Sequence, residues 1–375
     1  MQIELEKTLA KLVAIPSVTG DAIACHEIFD FVHAQLQPLG LYITSSTDTP
    51  NPWLIATTQP TKKPDILLVA HLDVVPAPVE LFIMRKQDGK FYGRGVYDMK
   101  FAAVCYLEFF KTHADILPGL NIGILFTTDE EGGGSCMPSI LDTGLRPRVV
   151  LIPDGGDNWS VEERAKGLYV LELTVYGKTA HGSRPWEGKN ALDTLLDILQ
   201  TLRGHYPSTD PAGTTLSITT LRAGEAITQI PDRATATLDF RSFSKTELSE
   251  YKQRIDTLVQ THGVDAKYTH AGNPLLFDPE APAVQSFLNA LREQTGTNKI
   301  HYSQSYGASD GRYFAGYNIP CILLQPYGGG RHSESEWLEA NDLEKYYQLV
   351  ERWLLPAAVF SSGVHPREIN VSIAS

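Results

Sequence analysis

The chain has 375 residues, more than one ordinary core holds, so two or three domains are expected. Hydrophobic content of 42% and charged content of 20% are those of a soluble globular protein. A net charge of −12 argues against nucleic acid or an anionic membrane as the main partner. No apolar run reaches the ~18 residues that span a bilayer, and the N-terminus lacks the apolar core of a secretory signal. Cys25, Cys105, Cys136 and Cys321 are widely spaced without a C-x-x-C pair. They read as reduced thiols of a cytoplasmic protein.

Taken in order, Glu4 to Val13 has helical apolar spacing and stops at Ile15-Pro16. Ala22 to Leu36 is a second helix with an apolar stripe of Ile23, Ile28, Phe29, Val32 and Leu36. Tyr42 to Ser46 and Trp53 to Thr57 read as strands. Ile66 to Ala70 is a buried strand with His71 and Asp73 at its end. Asp98 follows in a glycine-punctuated turn, before a helix-like stretch from Phe101 to Phe110. Asn121 to Thr127 is a strand running into Glu130, Glu131 and three glycines, and Arg148 to Ile152 is a strand ending at Asp154. Apolar strands alternating with helices describe an α/β domain.

The pattern changes near Glu163. Leu168 to Tyr176 alternates as a half-buried strand, and a helix from Ala191 to Leu202 follows. Strands at Thr215 to Leu221 and Ala234 to Phe240, then a helix from Lys245 to Thr261, complete a small α+β layer of one antiparallel sheet with two helices on one face. This domain is expected at about 164–273, inserted between catalytic segments 1–163 and 274–375. The connections near Glu163 and Asn273 would serve as a hinge. A helix from Ala283 to Thr295, a strand from Pro320 to Gln325 and a last helix from Leu343 to Phe360 are expected after it. The tail 361–375 carries little periodic signal.

Five positions converge where open α/β sheets place their chemistry: His71, Asp98, Glu131, Asp154 and His332. Two imidazoles and three carboxylates can hold two zinc-like ions roughly 3.5–4 Å apart with one shared carboxylate. Glu130 is left beside the ligand Glu131, where a carboxylate is a natural general base toward the attacking water.

HLDVVPA, GRGVYDMK, TTDEEGGG, PDGG, GKTAHGS and GGGRHSESEW occur in the order and approximate spacing of the di-zinc aminoacylase family, and the chain resembles that family over nearly its whole length. The family includes acetylornithine deacetylase, succinyl-diaminopimelate desuccinylase, glutamate carboxypeptidase and several dipeptidases. The resemblance implies a zinc-exopeptidase-like α/β catalytic domain with a mixed sheet, and an inserted ferredoxin-like α+β domain for dimerisation or closure. It also implies two divalent ions per subunit: zinc, with cobalt or manganese as alternatives. His71 and Asp154 would hold one ion, Glu131 and His332 the other, and Asp98 both. Asp73 would orient His71, and Glu130 would be the base. His181, in the G-K-x-x-H motif, would reach the active site of a partner subunit and stabilise the oxyanion, which implies a homodimer through the inserted domain. Arg241 resembles the arginine that grips a substrate carboxylate. Ser309 lies in a stretch that looks like the family's substrate loop.

Two departures bear on substrate. Where many relatives read N-x-I-P, this chain has Thr228-Gln229-Ile230-Pro231, so Thr228 replaces an amide that would contact substrate or oxyanion. Relatives that cleave peptides often carry aspartate at the position of Asp154, whereas deacylases tend to carry glutamate. The sequence therefore points to a metal-dependent exopeptidase or dipeptidase. An N-acyl amino acid deacylase and a catalytically silent binding relative are the alternatives.

Overall fold

The structure, a computed structural model, describes residues 1–206 and 210–355. Helix α1 (Gln2–Ala14) buries Leu5, Leu9, Leu12 and Val13, one apolar stripe at helical spacing. Helix α2 (Ala22–Leu36) starts at Asp21, whose carboxylate accepts from the backbone N–H of Ile23 and Ala24, each at 3.1 Å. Its buried stripe is Ala24, Cys25, Ile28, Phe29, Val32 and Leu36; Ile23, expected inside, is 84% exposed in the first turn.

Strands β1 (Tyr42–Ser46), β2 (Trp53–Thr57) and β3 (Ile66–His71) are followed by the short β4 (Arg85–Gln87) and β5 (Lys90–Tyr92). Helix α3 (Lys100–Thr112) is buried continuously from Lys100 to Phe110 and so lies inside the core rather than on it. Next come β6 (Ile122–Thr127), α4 (Met137–Asp142), β7 (Val149–Leu151), β8 (Val161–Ala165), β9 (Gly167–Tyr176), β10 (Ala180–His181) and α5 (Ala191–His205). Then follow β11 (Thr215–Ala223), β12 (Gln229–Ile230), β13 (Arg233–Ser242), α6 (Lys245–His262) and β14 (Asp265–Gly272). The remainder is α7 (Pro282–Thr295), β15 (Tyr302–Ser305), α8 (Gly311–Ala315), β16 (Cys321–Ile322), β17 (Gly328–Gly329), β18 (Trp337–Glu339) and α9 (Ala340–Leu354). The expected end of the last helix at Phe360 and the tail beyond it lie outside the described residues.

The chain forms two compact units. One is Met1–Glu163 with Leu276–Gln304 and 309–355; the other is Arg164–Leu275 with Ser305–Ala308. The first unit carries a six-stranded mixed sheet in the order β1-β2-β6-β3-β7-β16. β1, β2 and β6 are antiparallel, while β6, β3, β7 and β16 run parallel. Because β3, β6 and β7 share a direction, their carboxyl ends open on one edge, with His71 in register with Thr127 and Leu68 with Leu151.

The second unit is one antiparallel sheet, β11-β13-β9-β14. Leu171, Leu173, Ala236, Leu238 and Phe240 of that sheet form its core with Leu195, Ile198 and Tyr251 of the two helices. The connectivity is the ferredoxin-like split βαβ arrangement. Strand β14 was not anticipated from DAKYTHAG, whose side chains stay largely exposed at the sheet edge. Among the described residues no helix is long and apolar enough to cross a membrane. All four cysteines are free and buried.

Candidate metal centre

His71 ends β3, and its ring faces the neighbouring turn: Nε2 lies 3.1 Å from Asp98 Oδ1. The other carboxylate oxygen of Asp98 stands 3.2 Å from His332 Nε2, and His332 Nε2 lies 3.0 Å from Glu131. Ligand atoms of His71, Asp98 and Asp154 lie within 4.8 Å of one another, as do those of Asp98, Glu131 and His332. Two groups that share one carboxylate are the donor pattern of a dinuclear site, with imidazole and carboxylate ligands suited to zinc-like dications. His332 sits at φ +59°, a left-handed backbone unusual for a non-glycine residue.

The charge balance of the cluster fits a cation. Burial pushes the Glu131 carboxyl up to about 7. Glu130 is raised well above its ordinary value by burial, then by Asp154 and Asp310. Asp154 is raised by burial and by Asp98. Burial also opposes ionisation of Asp98, but hydrogen bonds with His332 and His71 outweigh it and hold that carboxyl well below its usual range. His332 is raised mainly by its bond to Asp98. The His71 imidazole, despite a burial that works against its charge, is raised by Asp73 and Asp98. So many buried and half-buried carboxylates facing two imidazoles call for more positive charge than the side chains supply, and bound dications would provide it.

Asp73 does two jobs through different atoms. Its backbone carbonyl accepts from His71 Nδ1 at 2.9 Å, which fixes the ring with Nε2 toward the cluster. The carboxylate, 3.6 Å from Nδ1, instead accepts from the Thr19 hydroxyl at 2.6 Å and from the N–H groups of Glu130 and Glu131 at 3.2 and 3.1 Å. The same residue thereby orients a candidate ligand and the loop bearing the candidate base. Ser309 is buried, and its hydroxyl accepts from Gly311 N–H at 3.3 Å.

The remaining expected residues belong to the second unit. His181 is exposed on a two-residue ladder with β12, where it pairs with Gln229, and its Nδ1 is 2.8 Å from Ser183 Oγ. Thr228 lies beside it, its carbonyl accepting from Gly182 N–H at 2.7 Å. Arg241 makes a two-pronged pair with Asp239, Nε to Oδ1 at 2.9 Å and Nη2 to Oδ2 at 3.1 Å.

Three charged residues near the cluster were not singled out from sequence. Arg312, 7% exposed, donates to the Gly133 carbonyl at 2.7 Å and lies 3.8 Å from Glu130 and 3.9 Å from Asp310. Arg331 reaches Gln325 Oε1 at 2.6 Å and lies 3.6 Å from Asp154. Glu336 is buried under the Asp98 turn. The available signal was a full charge inside a glycine-rich or apolar setting, as in Asp310-Gly311-Arg312-Tyr313-Phe314.

Residues 67–355 match the profile of Peptidase family M20/M25/M40. The chain belongs to that family. As an M20 member it is a hydrolase of C–N amide bonds. It is 27% identical over 380 residues to the succinyl-diaminopimelate desuccinylase of Bordetella petrii, covering 92% of this chain and 97% of that one. Its fold is similar to that of a Staphylococcus aureus tripeptidase, with a TM-score of 0.76 at 20% identity over 94% of this chain and 98% of the other. A Bacillus subtilis M20 protein described as a dinuclear metal binding peptidase superposes with a TM-score of 0.66 at 15% identity, over 94% and 97% of the two chains.

Proposed function

We propose that this M20 hydrolase cleaves an amide bond in a small peptide as an exopeptidase or dipeptidase, with two zinc ions held by His71, Asp98, Glu131, Asp154 and His332. The observation that carries the reading is the pair of ligand groups sharing Asp98, with Glu130 half-buried next to the candidate ligand Glu131. Bound there, the dications would polarise the scissile carbonyl and acidify the attacking water. Glu130 takes the proton from that water and returns it to the leaving amine. Asp73 holds the backbone of the Glu130 loop, and Arg312 fixes the loop through Gly133.

His181 donates a hydrogen bond to the developing oxyanion in a partner subunit, and Arg241 binds the substrate's terminal carboxylate, with Thr228 and Ser309 as further substrate contacts. Exposure of His181, and of Trp186 at 77% five residues on, supports a role completed by a second copy. The dimer would form through the second unit, where edge strand β11 leaves Leu221 46% exposed and α5 leaves Leu196 44% exposed. Four free cysteines suit a reducing compartment, and the cytoplasm is the proposed location.

Peptide is preferred as substrate because aspartate stands at 154. The second reading, hydrolysis of an N-acyl amino acid, is favoured by similarity to the desuccinylase. Glu130→Gln tests the shared chemistry: turnover is lost while both ions stay bound, as counted by elemental analysis. Normal turnover in that variant would overturn the assignment of the base.

A further inference from the structure

We infer that Glu336 is the positioning residue that sets the affinity of both ion sites together, by locking the turn that presents the shared carboxylate Asp98. This rests on the reading of the cluster as a two-ion centre. Glu336 lies four residues after His332, at 1% exposure. Its Oε1 accepts from the N–H of Tyr97 at 2.9 Å and of Asp98 at 3.0 Å. Oε2 accepts from Gly95 N–H at 3.0 Å and from Arg94 Nη1 at 2.7 Å. Three backbone donors and a guanidinium thus converge on one buried carboxylate, a set of charge-assisted bonds that holds residues 94–98 in a single conformation.

The rest of the turn is equally constrained. Gly95 has φ +84°, and a Cβ there would stand 2.9 Å from Val74 Cγ1 and 3.0 Å from Lys100 Cδ. From the other side Gln325 Nε2 donates to the Tyr97 carbonyl at 3.2 Å. Glu336 touches no candidate ligand side chain in these contacts; it acts on the backbone that aims Asp98. Because Asp98 belongs to both ligand groups, slack in this turn must weaken both sites.

The test is calorimetric titration of chelator-stripped protein with Zn²⁺, paralleled by the visible spectrum of the Co²⁺-loaded form. The parent should bind two ions. Glu336→Gln should lose ~10–100-fold in affinity at both sites, and its Co²⁺ bands should change for both ions. Glu336→Asp keeps the charge on a shorter arm and should fall between parent and Glu336→Gln; it carries the test if the glutamine variant does not fold. A folded Glu336→Gln with unchanged affinities, or with one site weakened and the other intact, would overturn the inference. A parent that binds fewer than two ions would overturn the two-ion centre itself.

Discussion

Replacing Arg312 by methionine removes the buried cation beside the Glu130 loop and leaves its partners in place. Arg312 is 7% exposed, donates to Gly133 at 2.7 Å, and faces Glu130 at 3.8 Å and Asp310 at 3.9 Å. Asp310 Oδ1 has no hydrogen-bond partner among the described residues, so the guanidinium is its principal compensation. Removing one member of a buried charged group costs ~3–5 kcal/mol, because the others stay buried and uncompensated. Asp310→Asn in the same background removes part of that burden, so the double variant should be ~1–3 kcal/mol more stable than the sum of the single losses. Burial pushes the Asp310 carboxyl up to about 7, above its ordinary ~3.9. Folding therefore disfavours its ionised form. The penalty is absent below pH ~4, grows through pH 7 and is complete above it. Relative to the parent, Asp310→Asn should gain stability as pH rises across that window and gain none at its acid end. Urea unfolding of chelator-treated protein followed by tryptophan fluorescence is the assay, since Trp53, Trp159, Trp337 and Trp353 all lie in the first unit. Additive losses, or a loss under ~1 kcal/mol for Arg312→Met, would mean that the guanidinium does not compensate Asp310.

His181→Ala should lower kcat ~10²–10³-fold, the usual cost of one oxyanion donor. Mixing it with Glu130→Gln and allowing subunit exchange should restore about a quarter of parental activity, because half of the dimers then hold one intact composite site; a mixture as inactive as its components would exclude a shared site. Arg241→Met should raise KM ~10–100-fold for substrates with a free carboxylate, with little effect on kcat, as expected for a charged hydrogen bond to substrate. Equal loss on an amidated analogue would show that the arginine does not read that group.

The parts of the fold legible in the sequence were those whose signal is local. Continuous apolar runs such as those within Ile66–His71 and Ile122–Thr127 declare themselves by length and flanking turns, and the stripe of α1 by its helical period. The ligand candidates were legible because chemistry at an open sheet edge places His, Asp and Glu directly after such runs. What escaped was tertiary. Strand β14 is an edge strand with few apolar residues, so its ladder comes from its neighbour β9 rather than from its own pattern. The sheet β17-β18-β5-β4 joins two- and three-residue strands from distant parts of the chain. Asp73 was expected to orient His71, yet its carboxylate also holds two N–H groups that lie 57 and 58 residues away. Glu336 likewise acts across 238 residues on the backbone of Asp98, a contact no local pattern announces.

Hydrolysis by chelator-stripped protein, before and after zinc is restored, decides whether the cluster is a metal-dependent peptidase centre. The panel would hold dipeptides, short peptides with free C-termini, and N-acetyl, N-succinyl and N-formyl amino acids. The stripped protein should cleave nothing, and peptide cleavage should return with two ions per chain. Cleavage of acyl amino acids alone would move the substrate to the deacylase class. Cleavage that survives chelation, or none of either class by the two-ion protein, would rule out a metal-dependent amide hydrolase at this cluster.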